Sequence, residues 1–313
     1  MAPRQKPAAS SQNSGEEAAA STTAIIPLFD SVQDAEVTEE VAVGWSLAAG
    51  TAAESAEAAP AVSAVDLSGR PKVLMTIGAG SAGKTTLLRW ITETILERNS
   101  QAIIAAVDPT NRSLTSYFAG VVEPPSRDPT AVVPWLEKKL FQHIMAIGAS
   151  AAIDFGGGDT SLLQLIAGGV DIVSTLEEAG ISPVAMYVMS PRVDDLAVLA
   201  TLEQSGFRPR ATAIVLNEGR SDPTRTREES FAAVMRHSVY KAAIERGAVP
   251  LWMPRLIPAA EIELRRIQFA TARDGVVPEG KRFTPLGPFD RSRVRHWLDA
   301  MAKNFEPVKS WLP

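Results

Sequence analysis

From residue 71 onward, short apolar runs alternate with amphipathic stretches. The runs 73–77, 102–107, 151–153, 184–189, 211–216 and 249–253 are almost uninterrupted by polar residues, as expected of strands buried on both faces. Helical spacing fills most of the gaps. Leu87, Leu88, Ile91 and Ile95 mark a helix over 84–98. Further helices are predicted over 135–147, 194–204 and 228–246, the last broken near His237 and Ser238. Strands separated by helical crossovers predict an α/β fold, a mostly parallel, doubly wound sheet with helices on both faces. No internal repeat competes with this pattern.

The two ends of the chain differ from this middle. Residues 1–70 are rich in Ala, Ser, Glu and Thr and bury too little apolar surface to offset their ordering entropy, so they are expected to form a disordered acidic tail before a domain at 71–313. Two apolar islands interrupt the tail, at 25–29 and 41–45. They are either incidental clusters or straps, or short docking motifs for a partner. At the other end, Val294, Trp297, Leu298, Met301 and Phe305 form an apolar stripe along 290–305, beside Arg291, Arg293, Arg295 and Lys303. Such a helix either packs its stripe on the sheet or, as basic amphipathic helices can, holds a membrane surface. Packing is the expectation.

Composition narrows the chemistry. The 313 residues are 45% hydrophobic and 21% charged, with a net charge of −5. The tail holds three basic against ten acidic residues, so the domain behind it is close to neutral. A mild basic excess over 251–313, eleven against seven, supports weak nucleic-acid contact at most. The chain has no cysteine, which excludes disulfides, thiolate nucleophiles and zinc–thiolate sites. His143, His237 and His296 are too scattered to propose a metal cluster. No apolar run approaches the roughly 18 residues that span a bilayer, and no secretory h-region follows Arg4 and Lys6, so a cytoplasmic location is expected.

The strongest chemical signal lies between the first strand and the first helix. Gly78-Ala79-Gly80-Ser81-Ala82-Gly83-Lys84-Thr85-Thr86 matches the G-x-x-x-x-G-K-[ST] spacing of a phosphate-binding P-loop in full. Glycines let such a loop wrap phosphates with its backbone N–H groups pointing inward, and the helix N-terminus adds free donors. Lys84 would neutralise the β- and γ-phosphates, and the Thr85 hydroxyl would ligate Mg²⁺.

Acidic residues stand at the tips of two neighbouring strands. Asp108 follows the second strand and is the candidate for orienting or activating water. Asp154 follows the third and is the candidate Mg²⁺-side acid, acting through the ion's water shell. Each alternatively caps a helix or forms a turn. Gly156, Gly157 and Gly158 would let backbone N–H groups swing toward a γ-phosphate. Asn217, after the fifth strand, is a candidate for recognising adenine through its amide, or is a turn-former. Pro254 and Arg255 follow the sixth strand on the same side.

These segments, in this order, resemble the ParA/MinD-like branch of P-loop ATPases, a group that includes partitioning, division-positioning and conjugal-transfer ATPases. GAGSAGKTT stands at the Walker A loop. VDPTNRSL is similar to the segment after the second strand, and IDFGGGD to the Walker B and switch region. VLN and MPRLIPAAEIELRRIQFATARDG are similar to the base-site segments. The resemblance covers about residues 72–275, and only the Walker A loop is highly specific. It implies ATP rather than GTP, ADP as product, slow hydrolysis stimulated by a protein or cargo partner, and a nucleotide-dependent homodimer. One departure bears on the last point. The family's usual lysine near the start of the loop is replaced by Ala79, so the dimer is carried over only if another cation, such as Arg112, substitutes.

Two other functions remain open from the residues. A small-molecule kinase would share the loop but need an acceptor site, to which Arg192, Asp194 and Asp195 could belong unless they only cap a helix. A non-hydrolysing, nucleotide-gated adaptor would fit the missing lysine at Ala79.

Overall fold

The computed structural model describes residues 64–107, 114–126 and 128–313. Most of the expected tail, with both apolar islands, therefore lies outside the described residues, as do Asp108 and Arg112.

Six strands form one sheet: β1 (Lys72–Ile77), β2 (Ala102–Ala106), β3 (Ser150–Asp154), β4 (Ser182–Met189), β5 (Ala211–Asn217) and β6 (Val249–Met253). Their order is β2-β3-β1-β4-β5-β6, and every neighbouring pair is parallel. α1 (Lys84–Glu97) follows β1. α2 (Pro129–Trp135) and α3 (Gln142–Ile147) lie between β2 and β3, joined through a π turn over Leu136–Phe141. α4 (Ser161–Ala167) and α5 (Ile172–Glu178) lead to β4, and α6 (Leu196–Gln204) to β5. α7 (Arg227–Arg236) and α8 (Ser238–Glu245) lead to β6, and α9 (Ala259–Arg265), α10 (Phe269–Asp274) and α11 (Pro288–Asn304) complete the chain.

The alternation of side chains explains the two layers. Leu74, Ile104, Val184, Met186 and Val215 face a core shared with α1, α9, α10 and α11. Their neighbours Val73, Met75, Ile103, Tyr187 and Ile214 face a second core with α2 to α8. Both faces of the strands are apolar because both are covered, as a parallel sheet requires.

α7 and α8 part at His237, whose backbone is extended (φ −67°, ψ 142°) and whose Nδ1 accepts from the Val239 N–H at 3.2 Å. The imidazole thus caps the second helix. α11 packs rather than floats. Val294, Trp297, Met301 and the following Phe305 are buried, with Trp297 against Phe269 (4.8 Å between rings) and Phe305 against Trp90 (4.9 Å). Each fully buried side chain of this size contributes about 1.5–3 kcal/mol. Residues 64–70, assigned to the tail by composition, sit on this end of the domain. Leu67 is buried, its N–H donates to Ser310 Oγ (3.1 Å), and Trp311 Nε1 donates to the Val65 carbonyl (2.7 Å). Among the described residues no helix is long and apolar enough to cross a membrane.

Candidate phosphate-binding site

β1 lies inside the sheet with β3 and β4 on either side, so the chain leaves its carboxyl end at the crevice where α/β sheets hold ligands. The loop Gly78–Gly83 fills that crevice and α1 starts behind it. Gly83 is the N-cap of α1, in the left-handed region (φ 109°), and a Cβ there would lie 2.2 Å from Asn217 Nδ2. Only glycine fits. Ser81 is also left-handed (φ 62°), a conformation disfavoured for residues with a Cβ and concentrated at functional sites. The first turn of α1 carries no side-chain cap and no acid, so its N–H groups remain positive toward the loop.

Lys84 is buried, and its Nζ donates to the carbonyls of Gly78 (3.0 Å) and Ala79 (2.9 Å). The ammonium therefore lies back across the loop, holding it in a curl. Ala79 contributes only this carbonyl. Gly80 and Ser81 are exposed at the loop's rim, Ala82 is buried beneath it, and Thr86 is half-buried in the first turn.

Asp154, 5% exposed at the end of β3, reaches the loop directly. The Thr85 hydroxyl donates to its Oδ2 at 2.8 Å, and the Thr76 hydroxyl donates to its Oδ1 at 3.0 Å. Thr76 is a site residue that periodicity alone does not mark as functional. Its signal is that it is the single polar residue inside the apolar run 73–77. The segment after Asp154 touches the loop as well, since a Cβ on Gly157 would fall 2.3 Å from Gly80 Cα and 2.6 Å from its nitrogen. Asp159 Oδ1 accepts from the Ser161 N–H (2.7 Å) where α4 begins. Beside this segment a cleft of about 210 Å³ opens between Gly78, Phe155, Gly158, Leu162, Val198 and Leu202.

Asn217 is next to the loop, but its amide is engaged inside the protein. Nδ2 donates to the Ala82 carbonyl (2.6 Å) and Oδ1 accepts from the Gly219 N–H (2.9 Å). It forms a turn and tethers the loop at once. The end of β6 also approaches, with Met253 Cε 3.0 Å from where a Gly83 Cβ would be. The Pro254 carbonyl accepts from Trp297 Nε1 (2.8 Å), and Arg255 donates to Ser221, joining the exits of β5 and β6. The acids and arginine considered for an acceptor site are local. Asp195 accepts from the N–H and hydroxyl of Ser190 (2.8 and 2.6 Å), while Arg192 and Asp194 form an exposed pair at 3.6 Å.

Among the described residues no three His, Cys, Asp or Glu side chains converge as a metal cage. One carboxylate and one hydroxyl beside a phosphate loop nevertheless fit Mg²⁺, which keeps several waters and takes its remaining ligands from phosphate oxygens. Thr85 and Asp154 are the pair able to supply them.

Neither a protein-family model nor a curated protein sequence matches the chain. Solved structures with a similar trace include the signal recognition particle receptor FtsY from Elizabethkingia anophelis. It is 12% identical at a TM-score of 0.37, covering 74% of this chain and 66% of that one, just under two thirds of the receptor's length. The MinC:MinD cell division protein complex of Aquifex aeolicus is 12% identical at 0.41, covering 73% and 96%. A LAO/AO transport system kinase is 14% identical at 0.34, covering 79% and 67%. At these scores the likeness is remote, and the chemistry of the site stands on this chain's own residues: a P-loop at the carboxyl edge of a parallel, doubly wound sheet.

Proposed function

We propose that the protein binds ATP with Mg²⁺ at Gly78–Thr86 and hydrolyses it slowly, as a molecular switch of the ParA/MinD-like type that recruits or positions a protein cargo. The observation that carries this is the contact of Thr85 with Asp154 behind a curled Gly78–Lys84 loop. A bound triphosphate offers Lys84 anionic oxygens in place of two carbonyls, and charge-assisted bonds are the stronger ones. Mg²⁺, when bound, would offset the negative charge that develops on the phosphate. Thr85 and Asp154 would hold it, Asp154 through its waters. Asp108 would orient the attacking water. Water adds to the γ-phosphorus, the bond to the bridging oxygen breaks, and ADP and phosphate leave, the water's proton passing to the phosphate.

Asn217 and Pro254 would then border the base. Asn217 acts chiefly by holding Ala82, because both ends of its amide are already engaged. Gly157, in contact with Gly80, gives the segment after Asp154 a direct way to sense an occupied loop, and the cleft beside it leaves room to move. A partner that reads this segment would be the stimulating protein. Ala79 supports a second reading, an adaptor gated by nucleotide without turnover. Phosphate release by wild type and Lys84→Ala, with ATP and GTP in parallel, separates the readings. A Lys84-dependent, ATP-selective rate supports the switch. Tight binding with no rate above the variant's supports the adaptor, and phosphate transfer to a small molecule supports a kinase.

A further inference from the structure

We propose that Arg89 and Glu93 form a buried clasp on α1 that ties the segment following β2 to the α9–α10 corner following β6, so that both segments move with the helix behind the phosphate loop. The inference rests on the nucleotide-binding reading of that loop. β2 and β6 are the opposite edges of the sheet. The chain leaving each edge nevertheless meets the other over α1, and Arg89 is where they meet. Its guanidinium lies 3.6 Å from the centre of the Tyr117 ring, which follows β2. It is also 4.4 Å from the ring of Phe269, at the start of α10. One of its terminal nitrogens donates to the Ile267 carbonyl at 2.9 Å. Gln268 Nε2 donates to the Tyr117 carbonyl at 3.2 Å and closes the ring of contacts.

Glu93 stands one helical turn beyond Arg89, on the same face. Its two carboxylate oxygens accept from the N–H groups of Phe269 (2.7 Å) and Ala270 (2.8 Å), the first turn of α10. Thr85, Arg89 and Glu93 are successive (i, i+4) positions, so the contact to Asp154 and both halves of the clasp share one rigid rod. Both side chains are buried, at 6% and 5% exposure, where a purely structural core would be served as well by apolar groups. Their polar groups instead engage Tyr117, Ile267, Phe269 and Ala270. α10 begins 15 residues after Pro254, and Tyr117 stands nine residues after Asp108. The clasp thus fixes Tyr117 and the start of α10 against α1.

Amide hydrogen exchange on the full chain, with and without Mg·ADP, tests this. In wild type, nucleotide is expected to slow exchange by tenfold or more in the loop 78–86 and, in parallel, in 114–120 and 267–274. Glu93→Gln is expected to raise exchange at 267–274 and remove its nucleotide response, while the loop stays protected. Arg89→Met is expected to remove the response of both segments. If that variant does not fold, Tyr117→Leu, at a half-buried ring, removes the same stack and carries the same expectation for 114–120. A loop protected by nucleotide while neither segment responds, or variants that respond like wild type, would overturn the clasp. A loop that nucleotide does not protect overturns the nucleotide reading itself, and the clasp's role with it.

Discussion

The hydroxyl of Thr85, the second residue of α1, donates a 2.8 Å hydrogen bond to Oδ2 of Asp154 at the tip of β3. A second hydroxyl, from Thr76, fixes the other carboxylate oxygen. The carboxylate is therefore held in one orientation by two elements, the strand before the loop and the helix after it. Removing its charge is expected to act on the metal more than on the fold. Asp154→Asn should weaken Mg·nucleotide binding about 10- to 100-fold, the usual effect of losing a group that orients a metal's ligands. Affinity measured in EDTA should stay unchanged. Titration of a fluorescent nucleotide with and without Mg²⁺ reads both.

Gly83→Ala should be strongly destabilising. Its φ of 109° and the 2.2 Å approach of Asn217 Nδ2 combine left-handed strain with a clash. Each such strain costs about 1–3 kcal/mol. Asn217→Ala, by contrast, leaves the Ala82 carbonyl and the Gly219 N–H without partners and should cost about 1–3 kcal/mol. The double variant should recover part of the loss, because the clashing amide is gone. Urea denaturation of the three variants measures this non-additivity.

Gly157→Ala places a methyl 2.3 Å from Gly80 Cα, and both partners are backbone. The segment 155–158 must move off the loop, at a cost of about 1–3 kcal/mol. Thermal denaturation should therefore show a modestly lower Tm. Nucleotide should lose its ability to protect this segment from proteolysis. Unchanged protection would show that the contact carries no signal.

Glu93 predicts a pH dependence. Burial pushes its carboxyl from the ordinary 4.5 up to about 7, opposed by the N–H groups of Ala270 and Phe269 and by Arg89, and reinforced by Glu97. Arg273 of α10 also faces it. Because the folded value is the higher one, the stabilisation from proton uptake is full below about 4.5 and lost as pH rises through about 7. Relative to Glu93→Gln, wild type should lose on the order of 3 kcal/mol between pH 4.5 and 8. Parallel urea denaturation of the two proteins across that range checks the sign and the size.

Much of the fold was legible because strands and long helices announce themselves by period. The runs 73–77, 102–107, 184–189 and 211–216 fall on β1, β2, β4 and β5 to within two residues, and 249–253 is β6. The break expected near His237 and Ser238 falls between α7 and α8. α4, α5, α9 and α10 were not, since six or seven residues make scarcely two turns and give no period to detect. α2 was hidden by Pro134, an unlikely helix interior until its exposed position on the first turns is known.

The site was legible where a motif fixes it and opaque where it depends on meeting in space. Lys84, Thr85 and Asp154 could be named from spacing and strand ends, and the structure brings all three together. The bond from Asn217 to Ala82 spans 135 residues, and that from Glu93 to Phe269 spans 176. No local pattern encodes such pairs. Glu93 in particular looks like any acid on a helix until α10 is seen to begin on it.

Calorimetric titration of ATP and ADP, each with Mg²⁺ and with EDTA, into wild type and Lys84→Met tests nucleotide binding at Gly78–Thr86 most directly. Lys84 Nζ donates to two carbonyls of the loop, so Lys84→Met removes the loop's cation while keeping an unbranched apolar stem of similar length. Wild type is expected to bind 1:1, more tightly with Mg²⁺, and the variant about tenfold or more weakly. Equal affinity in the two proteins, or no heat for either nucleotide, would contradict binding at this loop.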